Sequence, residues 1–279
     1  MKGYVDETSS LNLRCAESSN QNCHTRVRYN ATMFITESII GFSFPRKAKI
    51  RQTALGLEET LGSFMALPLQ ILPVPEDAPQ DIPRAFGNSQ GGHSTLTLTQ
   101  VTANFKTIYD GNFNTEWDLC FDYLTEKVKL LFPFVNEIAN GEILNFGIVL
   151  KIIYRSNIGE SAHRIVKTII KSNNLPSELD ELSLKTTFYQ NEKYYVNFLI
   201  ESLRNYATSQ VGDRDDIQIL SKSPIAEALQ FSIDVNDRYI GNFSSDYFTS
   251  EETSKEIMQI VSNIVRIRLE KIYSDGDWS

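Results

Sequence analysis

Histidine and cysteine are scarce in this chain of 279 residues, with three of each. Cys15, Cys23 and Cys120 form neither an even set nor a Cys-x-x-Cys pair, which excludes a disulfide framework. With His24 they make only a poorly spaced candidate for zinc. No G-x-S-x-G elbow supports a nucleophilic serine, and neither G-x-x-x-x-G-K-[ST] nor G-x-G-x-x-G offers a phosphate cradle. Glu-x-Lys and Asp-x-Lys are also missing, which removes the common metal-dependent nuclease arrangement. The longest apolar run, "ILNFGIVLKIIY", contains Asn145 and Lys151 and falls well short of the roughly 20 residues a membrane helix needs. The opening "MKGYVDETSSLNLRC" has no apolar secretory core. A soluble, cytoplasmic protein without cofactor or membrane contact is expected.

Net positive charge is lacking too. A balance of −8 argues against a dedicated, non-specific nucleic-acid binder, whose affinity rests on Lys and Arg neutralising phosphates. The charge is unevenly spread: Arg14 to Arg51 holds seven Lys/Arg against two Glu, whereas Asp213 to Ser279 holds seven against thirteen acidic residues. A polarised surface follows, with a basic region that the global count conceals.

What is present is pattern. A polar arm over residues 1–28 precedes a first half (29–156) and a second half (157–279), with one continuous domain as the competing reading. "TMFITESIIGFSF" alternates as a strand, with Phe34, Thr36, Ser38 and Ile40 on one side and Ile35, Glu37, Ile39 and Gly41 on the other. After Pro45, Ile50, Ala54, Leu57, Leu61 and Phe64 recur at helical spacing. "ALPLQILPV" reads as an edge strand because its prolines cannot donate to a ladder. "HSTLTLTQVTANFKTIY" reads as one long strand or a bent pair. A helix follows from an Asn114 cap, bent or ended at Pro133. "EILNFGIVLKIIYRS" is apolar on both sides, as for a strand buried in mid-sheet. A short helix, a hairpin turning at Gln190 to Glu192, another strand and a closing helix with a Thr249/Glu252 capping box complete the chain. This order predicts an α+β fold, antiparallel sheets with long amphipathic helices on one face, built as one sheet or as two related halves.

Three groups of residues are candidates for a site. The excursion from Pro73 to His93 carries prolines at 73, 75, 79 and 83 and runs into a threonine-rich strand, so it reads as an exposed connector or docking loop offering Arg84 and Phe86. Arg46, Lys47, Lys49 and Arg51 open a helix, a placement unfavourable against its dipole that an incoming anion would relieve. Asp213, Asp215, Asp216, Asp234 and Asp237 are the candidate ligands for Mg²⁺ in a hydrolase, although a turn at Gly212 uses aspartates anyway and Asp234 and Asp237 face different sides.

The pieces "ITESIIGFSF", "LTLTQVTANFKTIYDGNFNTEWDLCFDYLTEKVKLLF", "NFGIVLKIIY", "LQFSIDVNDRY" and "EIMQIVSNIVRIRLEKIY", in that order over residues 32–273, resemble a sporadically distributed family of bacterial proteins of unknown function. That family usually carries a leucine, arginine, tyrosine and asparagine run in the third piece, where this chain has "VLKIIYRSN". The resemblance implies an accessory role in bacterial antiviral defence or genome conflict and carries over no residue role. The expectation is a non-catalytic recognition component that binds a partner protein, with nucleic acid as a second class of partner through the local basic patch. The alternative is a metal-dependent hydrolase acting on phosphodiesters or nucleotides.

Overall fold

Period-two alternation of buried and wet side chains builds one large sheet, and helices close over its buried face. A computed structural model describes residues 33–171, 179, 181–210, 217–221 and 223–278. In chain order the elements are β1 (Met33–Ser43), α1 (Ile50–Leu57) with a 3-10 continuation (Glu58–Phe64), β2 (Gln70–Ile71), β3 (Ala85–Asn88), β4 (Ser94–Leu98) and β5 (Thr102–Ile108). There follow α2 (Trp117–Ala139), β6 (Asn145–Ser156), α3 (Ser161–Arg164) with a π-helical extension (Ile165–Ile170), β7 (Ser183–Gln190) and β8 (Tyr194–Asn205). Last come β9 (Thr208–Gln210), β10 (Ile217–Ile219), β11 (Ala226–Asn236), α4 (Arg238–Phe243), α5 (Glu251–Asn263), a π-helical turn (Ile264–Arg268) and α6 (Leu269–Asp275).

The fold is α+β. Nine strands pair in the order β2-β3-β4-β5-β1-β6-β11-β8-β7, every pair antiparallel, and β9 with β10 forms a separate two-stranded ribbon. Strands from both halves of the sequence therefore share a single sheet, joined at its centre by β1 and β6. Residues Ala31–Ser279 make one unit.

The buried face is a row of apolar side chains: Ile40 and Phe42 from β1, Phe146, Ile148, Leu150 and Ile152 from β6, Val196, Phe198 and Ile200 from β8, and Phe231 and Ile233 from β11. Against them pack Leu124, Val128, Leu131 and Val135 of α2 and Ile257, Ile260 and Val261 of α5. At about 25 cal/mol per Å² of apolar surface removed from water, this two-layer burial is the main term holding the fold.

Several local expectations are corrected. In β1 a bulge between Ile35 and Glu37 switches faces, so Ile35 is buried on the same side as Ser38 and Ile40, and the strict alternation of Phe34 with Ser38 fails. In β6 only one side is fully buried; Gly147, Val149, Lys151 and Ile153 are half-buried, because the helices cover one face alone. Helix α2 starts after Glu116 rather than Asn114, and it runs through Pro133 to a left-handed Asn140. The cap of α5 is Ser250, whose Oγ accepts from the Thr253 N–H at 3.1 Å, because the Thr249 hydroxyl is taken by Asp237. The threonine-rich stretch is a hairpin, β4 and β5, whose Thr99 Oγ1 accepts from the Val101 and Thr102 N–H groups. The β7–β8 turn falls where expected: Asn191 and Glu192 both have positive φ, the Lys193 N–H donates to the Gln190 carbonyl at 3.2 Å, and the ladder resumes with Gln190 opposite Tyr194.

Candidate functional site

Pairing in register carries side chains of one face from edge to edge of the sheet. Reading across from β7 to β3, one row is Tyr189, Tyr195, Asn236, Gly147, Gly41, Asn104, Thr97 and Phe86. It lies on the face opposite the helix layer and spans roughly 34 Å at about 4.8 Å per strand. Aromatic rings stand at β7 and at β3, where the row goes on to Gln70 of the edge strand β2, and two glycines meet in the middle. A Cβ on Gly147 would approach Asn236 Cβ to 2.8 Å, and one on Gly41 would approach Asn104 Oδ1 to 3.2 Å, so both amides lie close over a glycine backbone; Asn236 is buried, with its Oδ1 accepting from the Arg238 N–H at 3.2 Å, whereas Asn104 is only half-buried.

The adjacent row is Thr187, Asn197, Asp234, Val149, Ile39, Lys106, Thr95 and Asn88. Thr187 Oγ1 donates to Asn197 Oδ1 at 2.8 Å, Asn197 Nδ2 donates to Asp234 Oδ2 at 3.1 Å, and Asn236 Nδ2 donates to Asp234 Oδ1 at 2.9 Å. Beyond it Glu37 pairs with Lys106 at 2.6 Å and Lys151 at 2.9 Å. Burial would raise the Glu37 carboxyl, but the two lysines hold it below the usual range. The face thus alternates cations with carboxylates, amides and hydroxyls. Tyr189 and Tyr195 continue into an aromatic corner with Tyr239 and Phe243 of α4, in which Tyr189 is 64% and Phe243 75% exposed.

The excursion and the basic helix start are brought together, on each other. Arg51 Nη1 lies 3.0 Å from Glu76 Oε1 and its other amino group donates to the Val74 carbonyl; Arg46 Nε donates to Gln100 Oε1 at 3.0 Å; Lys47 pairs with Glu142 at 3.3 Å. Lys49 is exposed. The helix begins only at Ile50, with Lys49 at its N-cap, so Arg51 alone of the four lies inside it, and the cations are answered mostly by the chain's own acceptors. Reversing Lys47 and Lys49 together to glutamate is expected to change unfolding free energy by no more than about 1 kcal/mol, because partly exposed ion pairs contribute little; urea titration reads this directly. Arg84 is fully buried, and its guanidinium donates to the carbonyls of Ala78 at 2.9 Å and Pro79 at 3.3 Å, so it fastens the loop from inside rather than facing a partner. Phe86 alone of this group lies on the open face. The glycines after it make the β3–β4 turn, with positive φ at Gly92.

Among the aspartates, Asp213, Asp215 and Asp216 lie outside the described residues, as do Cys15, Cys23 and His24. Asp234 and Asp237 do not converge. Asp234 belongs to the open face, while Asp237 is buried and accepts from the Phe146 N–H at 2.8 Å, the Tyr247 hydroxyl at 2.7 Å and the Thr249 hydroxyl at 2.6 Å. Burial pushes its carboxyl up despite those donors. Among the described residues no three His, Cys, Asp or Glu side chains gather to hold a metal ion.

A hydroxyl cluster lies between β4, β5 and α2. Ser94 Oγ is 2.8 Å from the Tyr123 hydroxyl and 2.9 Å from Thr107 Oγ1, and His93 Nε2 is 3.0 Å from the same Tyr123 hydroxyl. Histidine thus reaches tyrosine, whose pKa burial raises, and not the serine, so no activated nucleophile results. Burial pushes the Cys120 thiol up to about 12, and it donates to the Phe113 carbonyl, which keeps it protonated at neutral pH.

Comparisons with family models, with curated proteins and with solved structures find no match. Among the described residues no helix is long and apolar enough to cross a membrane. What the geometry offers is a broad, mixed-polarity surface with rigid aromatic ends. Asn104, Asn236, Tyr189 and Tyr195 were not singled out by sequence pattern; the one signal pointing to them is a glycine inside each central strand, Gly41 and Gly147.

Proposed function

We propose that this chain is a non-catalytic recognition component whose open sheet face binds a partner protein. The observation that carries the reading is the row from Tyr189 through Asn236 and Asn104 to Phe86, with aromatic rings toward either edge of the sheet and the half-buried Asn104 amide between them. Buried aromatics surrounded by polar groups are the usual energetic centres of protein interfaces. Lys106, Lys151, Lys185 and Arg155 share the face with Glu37, Glu201 and Asp234, a mixture that suits a protein surface better than a polyanion. A role in a bacterial antiviral-defence or genome-conflict system rests on the family resemblance alone.

Two related halves are part of this proposal. Strand, helix, strands and helix recur as β1-α1-β3-β4-β5-α2 and β6-α3-β7-β8-β11-α5, and the sheet order mirrors about the β1–β6 pair. The mirror matches Gly41 with Gly147, Asn104 with Asn236 and Phe86 with Tyr189, and it moves the join from residue 156 back to the turn before β6. A surface of this symmetry would meet its partner across both halves.

The test is photo-crosslinking in native host cells, with a photoreactive residue replacing Asn104 on the open face or Lys129 on the helix layer. A discrete protein adduct at position 104 and none at 129 is expected. An adduct to nucleic acid would change the class of partner, and no adduct at 104 would end the proposal. A melting series with Mg²⁺, Mn²⁺ and EDTA addresses the hydrolase: no change in melting temperature is expected, since only a ligand of the folded state raises it.

A further inference from the structure

The two edges of the sheet are unlike. At one, β2 is two residues long and lies between Pro68 and Pro73, which blunts it against further pairing. At the other, β7 runs for eight residues, "SLKTTFYQ", without proline, and among the described residues it pairs only with β8. The Ser202 N–H donates to the Leu182 carbonyl at 3.0 Å, which fixes the phase of the ladder: Leu184, Thr186, Phe188 and Gln190 turn their backbone groups toward β8. The N–H and C=O groups of Ser183, Lys185, Thr187 and Tyr189 therefore point outward, and these residues also have exposed side chains. An outward ladder of this kind is matched by another extended backbone.

We propose that a second copy of this chain supplies it, β7 pairing antiparallel with β7 across a two-fold axis normal to the sheet. Of the registers that keep the outward groups in phase, the one proposed places a lysine against an aromatic ring on both sides of the axis. Centred on Thr187, it sets threonine opposite threonine and brings Lys185 of each copy opposite Tyr189 of the other, whereas centring on Lys185 would oppose two ammonium groups. Threonine pairs and a lysine facing an aromatic ring are both favourable cross-strand neighbours. Tyr189 is ready for that contact: it is 64% exposed, with its ring held by Tyr195 and Tyr239. On the helix side, Leu184 and Phe188 are only half-buried at the edge, and an added strand would cover them. The two-fold keeps both open faces on the same side, doubling the recognition surface. A closed, isologous pair of this kind is the commonest assembly of soluble chains.

Light scattering over a concentration series reads the outcome as mass. The wild-type protein is expected at twice 31.7 kDa. Thr187→Pro deletes an outward N–H while leaving the β8 ladder intact, and is expected to give the single-chain mass with an unchanged circular dichroism spectrum; Thr187→Ala is expected to stay dimeric. Register is tested by charge. Tyr189→Lys opposes like charges and is expected to dissociate the pair, and adding Lys185→Glu to it is expected to restore the dimer. A wild type of single-chain mass at all concentrations, a dimeric Thr187→Pro variant, or no rescue by the double variant would overturn the proposal. None of these results bears on the crosslink at position 104, so the partner reading stands or falls separately.

Discussion

Replacing Asp237 with alanine is expected to destabilise the protein by about 3 kcal/mol or more, since each buried donor left without an acceptor costs about 1 to 3 kcal/mol. Asp237 follows β11 at the start of α4 and is fully buried, and three donors converge on it: the Phe146 N–H of β6 and the hydroxyls of Tyr247 and Thr249. Alanine would leave a backbone N–H and two hydroxyls without acceptors and would free the segment leading into α5. Urea unfolding measures the loss, and a change under about 1 kcal/mol would show that the carboxylate is dispensable. Asn is the shape-preserving control and isolates the titration. Because burial raises the folded-state value above the ordinary 3.8, the stabilising contribution of the protonated form is full below 3.8 and is lost as pH rises through the raised folded value. Wild type should therefore gain on Asp237→Asn as the solution is acidified.

The second large effect is expected at Glu227, with the opposite pH sign. Its buried carboxylate lies 2.7 Å from Arg204 Nε and accepts from the Ser161 N–H at 3.2 Å and the Ser161 hydroxyl at 2.9 Å, tying β11 and β8 to the start of α3. Glu227→Ala removes the carboxylate from a guanidinium that is itself largely buried, and a loss of about 3 kcal/mol or more is expected in urea unfolding. Burial alone would raise this carboxyl, but the Gly159 and Ser161 N–H groups, the Ser161 hydroxyl and Arg204 together hold it below the ordinary 4.5. Its contribution is thus present above 4.5 and lost as pH falls through the lower folded value. The advantage of wild type over Glu227→Gln should shrink on acidification, while its advantage over Asp237→Asn grows. Parallel slopes for the two variants would contradict the assigned environments.

Local pattern located most of the strands and helices. Alternation in "LQFSIDV" and helical spacing in "EIMQIVSNIV" state which side chains seek the core, and the buried sets of β11 and α5 follow. Features that depend on distant partners were not legible. The β1 bulge exists because β1 pairs with β6, more than a hundred residues away, and nothing local to Thr36 announces it. Asn197 and Asp234 look like ordinary strand polars until register sets them side by side. Arg84 reads as an exposed loop cation, yet the carbonyls of Ala78 and Pro79 fold around it. Asp234 and Asp237 are an exception, since a spacing of three at the end of a strand already separates them: Asp234 lies on the open face and Asp237 is buried.

The central claim is that the open face is a docking surface, and hydroxyl-radical footprinting of the purified protein beside the same protein in its native host cells tests it most directly. Phe86 and Tyr195 are expected to be oxidised in the purified protein and shielded in cells, while the fully buried Phe146, Phe198 and Phe231 stay unlabelled in both. Equal labelling of the open-face rings in the two settings would contradict the account.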